Sequence, residues 1–175
     1  MIIKISVFAV LALVVFIKLR GELRSLNTHG FYVFFAFESL LVLLFFNVDF
    51  WIHRAFSWYQ ILSWILLVIS AFIALSGFYC LKKHGKSVEG WEETTELIKK
   101  GIFRYIRHPL FSSLILLAIG ILLKNVALQS LIACFICILF LVMASIVEEK
   151  ENFAKFGDTY HAYAHETKRY IPFIF

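Results

Sequence analysis

Val126-Ala-Leu-Gln-Ser-Leu-Ile-Ala-Cys-Phe-Ile-Cys-Ile-Leu-Phe-Leu-Val-Met-Ala-Ser-Ile-Val147 holds no charged residue and is followed at once by Glu148-Glu149. A helix rises about 1.5 Å per residue and the bilayer hydrocarbon is about 30 Å thick, so about 20 such residues span it. Lipid offers the backbone no partners, which favours a helix. Just upstream, Leu110–Leu123 is a shorter apolar run that ends at Lys124-Asn125. It is short for a span, so it either starts earlier, within Arg107-His108-Pro109, or pairs with the longer run as a tight helical hairpin. Pro109 suits the first turn of its helix, where a missing N–H costs nothing. Further upstream lie Ile61–Leu81, Phe31–Phe50 (interrupted by Glu38) and Ile2–Ile17. The pattern predicts an all-α polytopic membrane protein of about five transmembrane helices with a C-terminal helical hairpin.

Composition and charge agree. The chain is 61% hydrophobic, with a mean hydropathy of +0.84. That leaves too few polar residues to cover a water-facing surface. Long unbroken runs, twenty Phe and only two Pro argue for helices over a barrel. With five spans, the first loop (Lys18, Arg20, Arg24), the third loop (Lys82, Lys83, Lys86, Lys99, Lys100, Arg104, Arg107) and the tail (Lys150, Lys155, Lys168, Arg169) share a side. The other side keeps only Lys4, Arg54 and Lys124. The positive-inside rule then places the C-terminus in the cytoplasm and the N-terminus outside. This explains the net charge of +5 without nucleic acid. Lys18-Leu-Arg20 after the first run is no small-residue cleavage site, so no signal peptide is expected. Cys134 and Cys137 form a C-x-x-C inside an apolar helix and read as packing residues, with no metal implied. His53 and Arg54 read as interface residues, and Ile171-Pro-Phe-Ile-Phe175 suits the membrane surface. Short loops point to a prokaryotic inner membrane.

Two polar segments fall on the cytoplasmic side. Gly101-Ile-Phe-Arg-Tyr-Ile-Arg-His-Pro-Leu-Phe111 sits at the mouth of the fourth span, and Glu148-Glu149 lies where the fifth emerges. The hairpin makes them neighbours, gathering Arg104, Arg107, His108 and a carboxylate pair. Structural roles would account for each: arginines at headgroups, His108 capping a helix or pairing with Glu148. Adjacent glutamates point about 100° apart on a helix, so at most one faces a given ligand. Glu38 lies within its span and needs a protein or wet partner.

At these segments the chain resembles the isoprenylcysteine carboxyl methyltransferase family and its relatives, which include phospholipid N-methyltransferases and small-thiol methyltransferases. The matching residues are Leu97-Ile98, Gly101, Phe103, Arg107-His108-Pro109 and Phe111, then Glu148-Glu149, Phe156-Gly157, Tyr160, Tyr163 and Ile171-Pro172. Gly85-Lys86-Ser87 resembles the family's Gly-x-Ser. The likeness covers about half the chain, from Gly85 on. It divides the chain into 1–81, three N-terminal transmembrane helices, and 82–175, a cofactor-binding methyltransferase region with hairpin and cytoplasmic tail.

The resemblance implies S-adenosyl-L-methionine as cofactor, bound on the cytoplasmic side, and a lipophilic or lipid acceptor admitted from the bilayer. It implies cofactor contacts at Thr95, Glu96, Leu97 and Ile98, and at Phe103, His108, Pro109, Leu110, Phe111 and Glu148. The chemistry suits these residues. Glu148, with Glu149 beside it, can accept from the cofactor's amine or ribose hydroxyls. Arg107 and His108 are the candidate catalytic pair, able to meet its carboxylate. Phe103 and Tyr105 offer aromatic faces to adenine or a cation. Three departures stand out: Phe111 replaces Tyr, Ile102-Phe103 replaces Pro-Tyr, and Ala144 stands where eukaryotic prenylcysteine enzymes carry an acceptor-contacting Arg. The last predicts an acceptor other than a prenylcysteine carboxylate. Two other classes compete, a small transporter subunit and a non-catalytic membrane scaffold. Cofactor binding separates the enzyme from both.

Overall fold

The computed structural model describes residues 2–24, 27–52, 56–85 and 96–171. Thr95, Lys86, Ser87, His53, Arg54 and residues 172–175 lie outside them. The described chain is helical: α1 (Ile2–Leu19), α2 (His29–Asn47), α3 (Trp58–His84), α4 (Pro109–Leu122), α5 (Leu128–Phe156) and α6 (Asp158–Glu166). The only β-type pairing among the described residues is an isolated parallel bridge between Ile106 and Lys168.

Among the described residues, three helical segments are long and apolar enough to cross a membrane: His29–Phe50, Trp58–His84 and Leu128–Phe156. This is an integral membrane protein. α4, at 14 residues, is shorter. It starts at Pro109 as the sequence predicts, and Leu123 and Lys124 close its last turn on Ile119 and Ile121. α4 and α5 form the expected hairpin.

Packing follows the small residues. α2 lies along α5, where Ala36, Leu43, Cys137, Leu141 and Ala144 are buried in a common core. Phe35 stacks on Phe140 with ring centroids 5.1 Å apart. Cys134 and Cys137 are free thiols inside this core. α3 lies along α4, joined by side chain–backbone hydrogen bonds within the apolar layer. Ser63 Oγ donates to the Gly120 carbonyl at 2.6 Å, and Ser70 Oγ to that of Ser113 at 2.8 Å. A Cβ at Gly120 would meet Leu67 at 2.9 Å, so glycine sets this approach. α2 and α3 both pack on α4 but share no extensive interface with each other.

Polar groups collect at the two ends of the bundle. One end joins Lys4 to Asp49 (2.6 Å), Asn47 to Ser130 (2.9 Å) and Gln60 to Lys124 (3.1 Å). The other gathers the start of α2, the end of α3, residues 97–107, the end of α5, α6 and the tail. Glu38, at neither end, lines a shallow apolar depression between α2 and α5.

Candidate functional site

The second polar end is built around the entry to α4. The tail beyond α6 runs beside residues 105–108. Lys168 N–H donates to Tyr105, Arg107 N–H to Lys168 (2.8 Å) and His108 N–H to Arg169 (3.1 Å). These bonds satisfy backbone groups of the segment leading into α4, up to its N-cap His108. The turn into α6 depends on Gly157, whose φ of +53° favours glycine. Gly101 has φ +58° and lies so close to α3 that a Cβ would sit 2.3 Å from Cys80 Sγ.

Within this frame the two glutamates take different partners. Glu149 is buried. Its Oε1 accepts from Arg107 Nε (3.0 Å) and Arg169 Nε (3.1 Å), and lies 3.2 Å from His108 Nε2. Its Oε2 accepts from Arg169 Nη2. Arg107 Nη1 donates in addition to the carbonyls of Ala164 (2.8 Å) and Thr167. Glu148, one residue earlier, turns towards open space, with its side chain 31% exposed. His108, only 3% exposed, stands between them. Its Nδ1 lies 3.4 Å from Glu148 Oε2, close enough to feel the charge but misaligned for a hydrogen bond, so Nδ1 is a buried nitrogen without a hydrogen-bond partner. Burial alone would lower the His108 pKa, but the Glu148 and Glu149 carboxylates outweigh it and raise it above the usual 6.5.

The open space is a cavity of about 320 Å³, within the size range of small-molecule sites. Glu148, Phe103, Leu97, Ile98, Tyr160 and Tyr163 line it, together with Glu151, Asn152 and Lys155 of α5. Burial pushes both phenols up, keeping them neutral donors. Tyr163 Oη donates to the Phe103 carbonyl at 2.7 Å, fixing that ring's segment to α6. Next to the cavity is a neck of about 50 Å³ walled by His108, Pro109, Leu110, Phe111, Phe103 and Glu148. His108 and Phe111 stack there with centroids 5.6 Å apart.

The structure thus brings Leu97, Ile98, Phe103, Glu148 and Arg107 to the cavity, and His108, Pro109, Leu110 and Phe111 to its neck. Glu149 faces the arginines instead. Tyr105 is 48% exposed and Glu96 is exposed, and neither lines the cavity. Sequence reasoning missed three contributors. Arg169 completes the charge cluster from the tail. Tyr170 approaches His108 at 6.2 Å and meets Ser145 through its hydroxyl. The start of α2 roofs the cavity: His29 Nδ1 lies 2.6 Å from Glu151 Oε2, with Glu22 and Thr28 beside it. The α2 contribution carries no motif.

The family model for phospholipid methyltransferase matches residues 58–158, more than half of the chain. That stretch holds the neck, Glu148, Glu149 and most of the cavity wall, while the α2 roof and the tail arginine lie outside it. No curated protein matches, and no solved structure matches. The chain belongs to the phospholipid methyltransferase family and is therefore a membrane methyltransferase.

Proposed function

We propose that this protein is an S-adenosyl-L-methionine-dependent methyltransferase with five spans, an external N-terminus and a cytoplasmic C-terminus. It methylates the polar end of a lipophilic acceptor supplied by the bilayer. The observation that carries this reading is the division of labour in the glutamate pair. Glu149 is occupied by two arginines and a histidine, whereas Glu148 faces a ligand-sized cavity with His108 Nδ1 near it, at 3.4 Å and without a hydrogen bond.

The residues present fit the cofactor. Bound there, it would supply an electrophilic methyl group on a sulfonium cation. Glu148 would hold the amine or a ribose hydroxyl by a charge-assisted hydrogen bond. Leu97, Ile98 and Phe103 would enclose the flat base, and Lys155 is the cavity's solvent-side cation. Thr95 and Glu96 stay in the proposal as flanking contacts, as does Tyr105. Arg107 and His108 set the neck: Arg107 clamps the tail, and His108 places its ring, held between Glu148 and Glu149, where reacting groups would meet. Phe111 and Pro109 exclude water there. A poorly hydrated neck favours a reaction in which positive charge on the donor is lost, and alignment supplies much of the rate.

The acceptor is a lipophilic molecule with a polar head, other than a prenylcysteine carboxylate. Ala144 is fully buried in the α2–α5 core. No cationic side chain occupies that place, and an unpaired carboxylate in a dry pocket is costly. A scaffold role would explain the Arg107–Glu149–Arg169 cluster, which ties the tail to the hairpin, but it leaves Glu148 and its cavity without a purpose. The test is binding of S-adenosylhomocysteine to purified protein, followed by radiolabelled methyl transfer to a panel of amine lipids, thiols and isoprenoid acids. Binding with transfer supports the reading, and absence of both rejects it.

A further inference from the structure

A second, larger cavity of about 470 Å³ lies in the membrane layer. It occupies the gap that α2 and α3 leave over α4. Its walls are apolar, among them Phe37, Leu67, Ala71, Ala74, Leu114 and Leu117. Leu110 and Phe111 belong both to this groove and to the neck at His108. The groove therefore starts at the proposed reaction centre and runs along α3 from Phe78 to Trp64, about 21 Å at helical rise.

Its far end has an unusual construction. Trp51 and Trp64 meet edge to face with centroids 5.8 Å apart. Lys124 is 2% exposed, and its Nζ sits 3.7 Å from the centre of the Trp64 ring and 5.7 Å from that of Trp51. Gln60 and Lys124 are joined twice. Lys124 Nζ donates to Gln60 Oε1, and Gln60 Nε2 donates to the Lys124 carbonyl, each at 3.1 Å. A buried ammonium is costly unless paired. Here it finds a π face and an amide, so the ring and the α4–α5 turn hold each other in place. Trp51 Nε1 has no hydrogen-bond partner, so ring contacts rather than polar bonds position that side chain.

We propose that this Trp51–Trp64–Lys124 cluster is a stop that sets how long a hydrocarbon tail the groove accepts, making Trp64 a specificity-determining residue for the acceptor. The proposal rests on the methyltransferase reading above for what lies at the other end. The occupant is one hydrocarbon tail of a lipid whose head stands at the neck. Continuity with the neck, apolar walls and a location within the bilayer select a tail over a soluble metabolite. A tail that fits extends from Phe111 to the Trp pair. A longer one must fold back or displace a ring held on two sides.

The test uses the full chain in nanodiscs with a diazirine-tailed lysophosphatidylethanolamine as crosslinking probe. Unlabelled lysophosphatidylethanolamines of increasing tail length compete at equal mole fraction in the bilayer. In the wild type, competition should fall about tenfold at the first tails that overfill the groove, the scale of forcing methylenes into a packed site. Trp64→Ala should move that fall to longer tails, and the milder Trp64→Phe should move it less in the same direction. Leu139→Ala, at a lipid-facing position of α5, should leave it in place. Competition that does not depend on length, or a fall at the same length in wild type and both Trp64 variants, overturns the proposal. S-adenosylhomocysteine binding is measured on the same preparations. Its absence would reject the methyltransferase reading while a cutoff that moves with Trp64 would still establish the stop. Its presence without a cutoff would reject the stop alone.

Discussion

Arg169, near the end of the chain, closes on Glu149 of α5, with its Nε 3.1 Å from Oε1. Arg107, at the entry to α4, reaches the same oxygen at 3.0 Å. One carboxylate therefore fastens the tail, the hairpin entry and α5 together. Its neighbour Glu148 is left to face the cavity. The adjacent pair divides its positions, Glu149 on the arginines and Glu148 on the cavity, and the binding duty proposed for Glu148 is open to mutation.

Glu149→Gln should destabilise the protein. Both arginines would lose a buried counter-charge, and breaking such a pair costs about 3–5 kcal/mol. Scanning calorimetry or a thermal-shift assay in detergent should show a clear fall in Tm. Glu148→Gln, with its side chain 31% exposed and no arginine partner among the described contacts, should lower Tm less, through the loss of its ion pair with His108. An unchanged Tm for Glu149→Gln would contradict the role given to it.

Stability should depend on pH through His108. Its folded pKa is raised above 6.5 by the two carboxylates. The sign follows from linkage: the folded state holds the proton more tightly. This contribution is fully present below the unfolded value near 6.5 and is lost as pH rises through the higher folded value. Tm measured across that window should fall more in the wild type than in His108→Gln. Parallel curves for the two proteins would remove His108 as the titrating group.

Gly157→Ala should loosen α6. Nothing lies within 4 Å of the added Cβ, so the cost is conformational alone, about 1–3 kcal/mol for a non-glycine residue at positive φ. Tyr160 and Tyr163 would then cover the cavity less tightly. Hydrogen exchange should speed up in 158–166, and unchanged exchange would show that the turn carries no strain.

Much of this was legible in the sequence because it is written locally. Pro109 marks where α4 begins, the uncharged run 126–147 marks α5, and Glu148-Glu149 marks its exit. The 100° offset between adjacent helix positions already implied that the two glutamates diverge. Which one would meet the arginines was not legible, because it depends on Arg169, brought back by the Gly157 turn. Nor was the α2 roof legible. His29 and Glu151 are distant in sequence and meet only in the folded chain, through hydrogen bonds to one carboxylate, and neither sits in a recognisable motif. The groove was equally hidden, since it arises where α2 and α3 share no extensive interface over α4. Thr95 lies outside the described residues, so its place in the site stays a proposal from resemblance.

Topology has its own check. A lone cysteine in place of His165, in a background lacking Cys80, Cys134 and Cys137, should label from the cytoplasmic side only. It sits in α6, at the end of the bundle that carries most of the positive charge. Labelling by an impermeant reagent from outside would reverse the orientation.

Acceptor choice follows from Ala144. N-acetyl-farnesylcysteine should be methylated poorly or not at all beside amine lipids and thiols. Efficient turnover abolished by Arg107→Ala would mean that Arg107 meets the acceptor's carboxylate, contrary to the clamp role assigned to it here.

The central claim is that Glu148, and not Glu149, binds the methyl donor. Isothermal titration of S-adenosylhomocysteine into wild type, Glu148→Gln and Glu149→Gln tests it most directly. The account predicts micromolar binding to the wild type, about −8 kcal/mol. It predicts a loss of about 1.5–3 kcal/mol in Glu148→Gln, as for a lost charged hydrogen bond. In Glu149→Gln, at a temperature where it remains folded, the loss should be smaller. No binding to the wild type, or equal losses in the two variants, would contradict it.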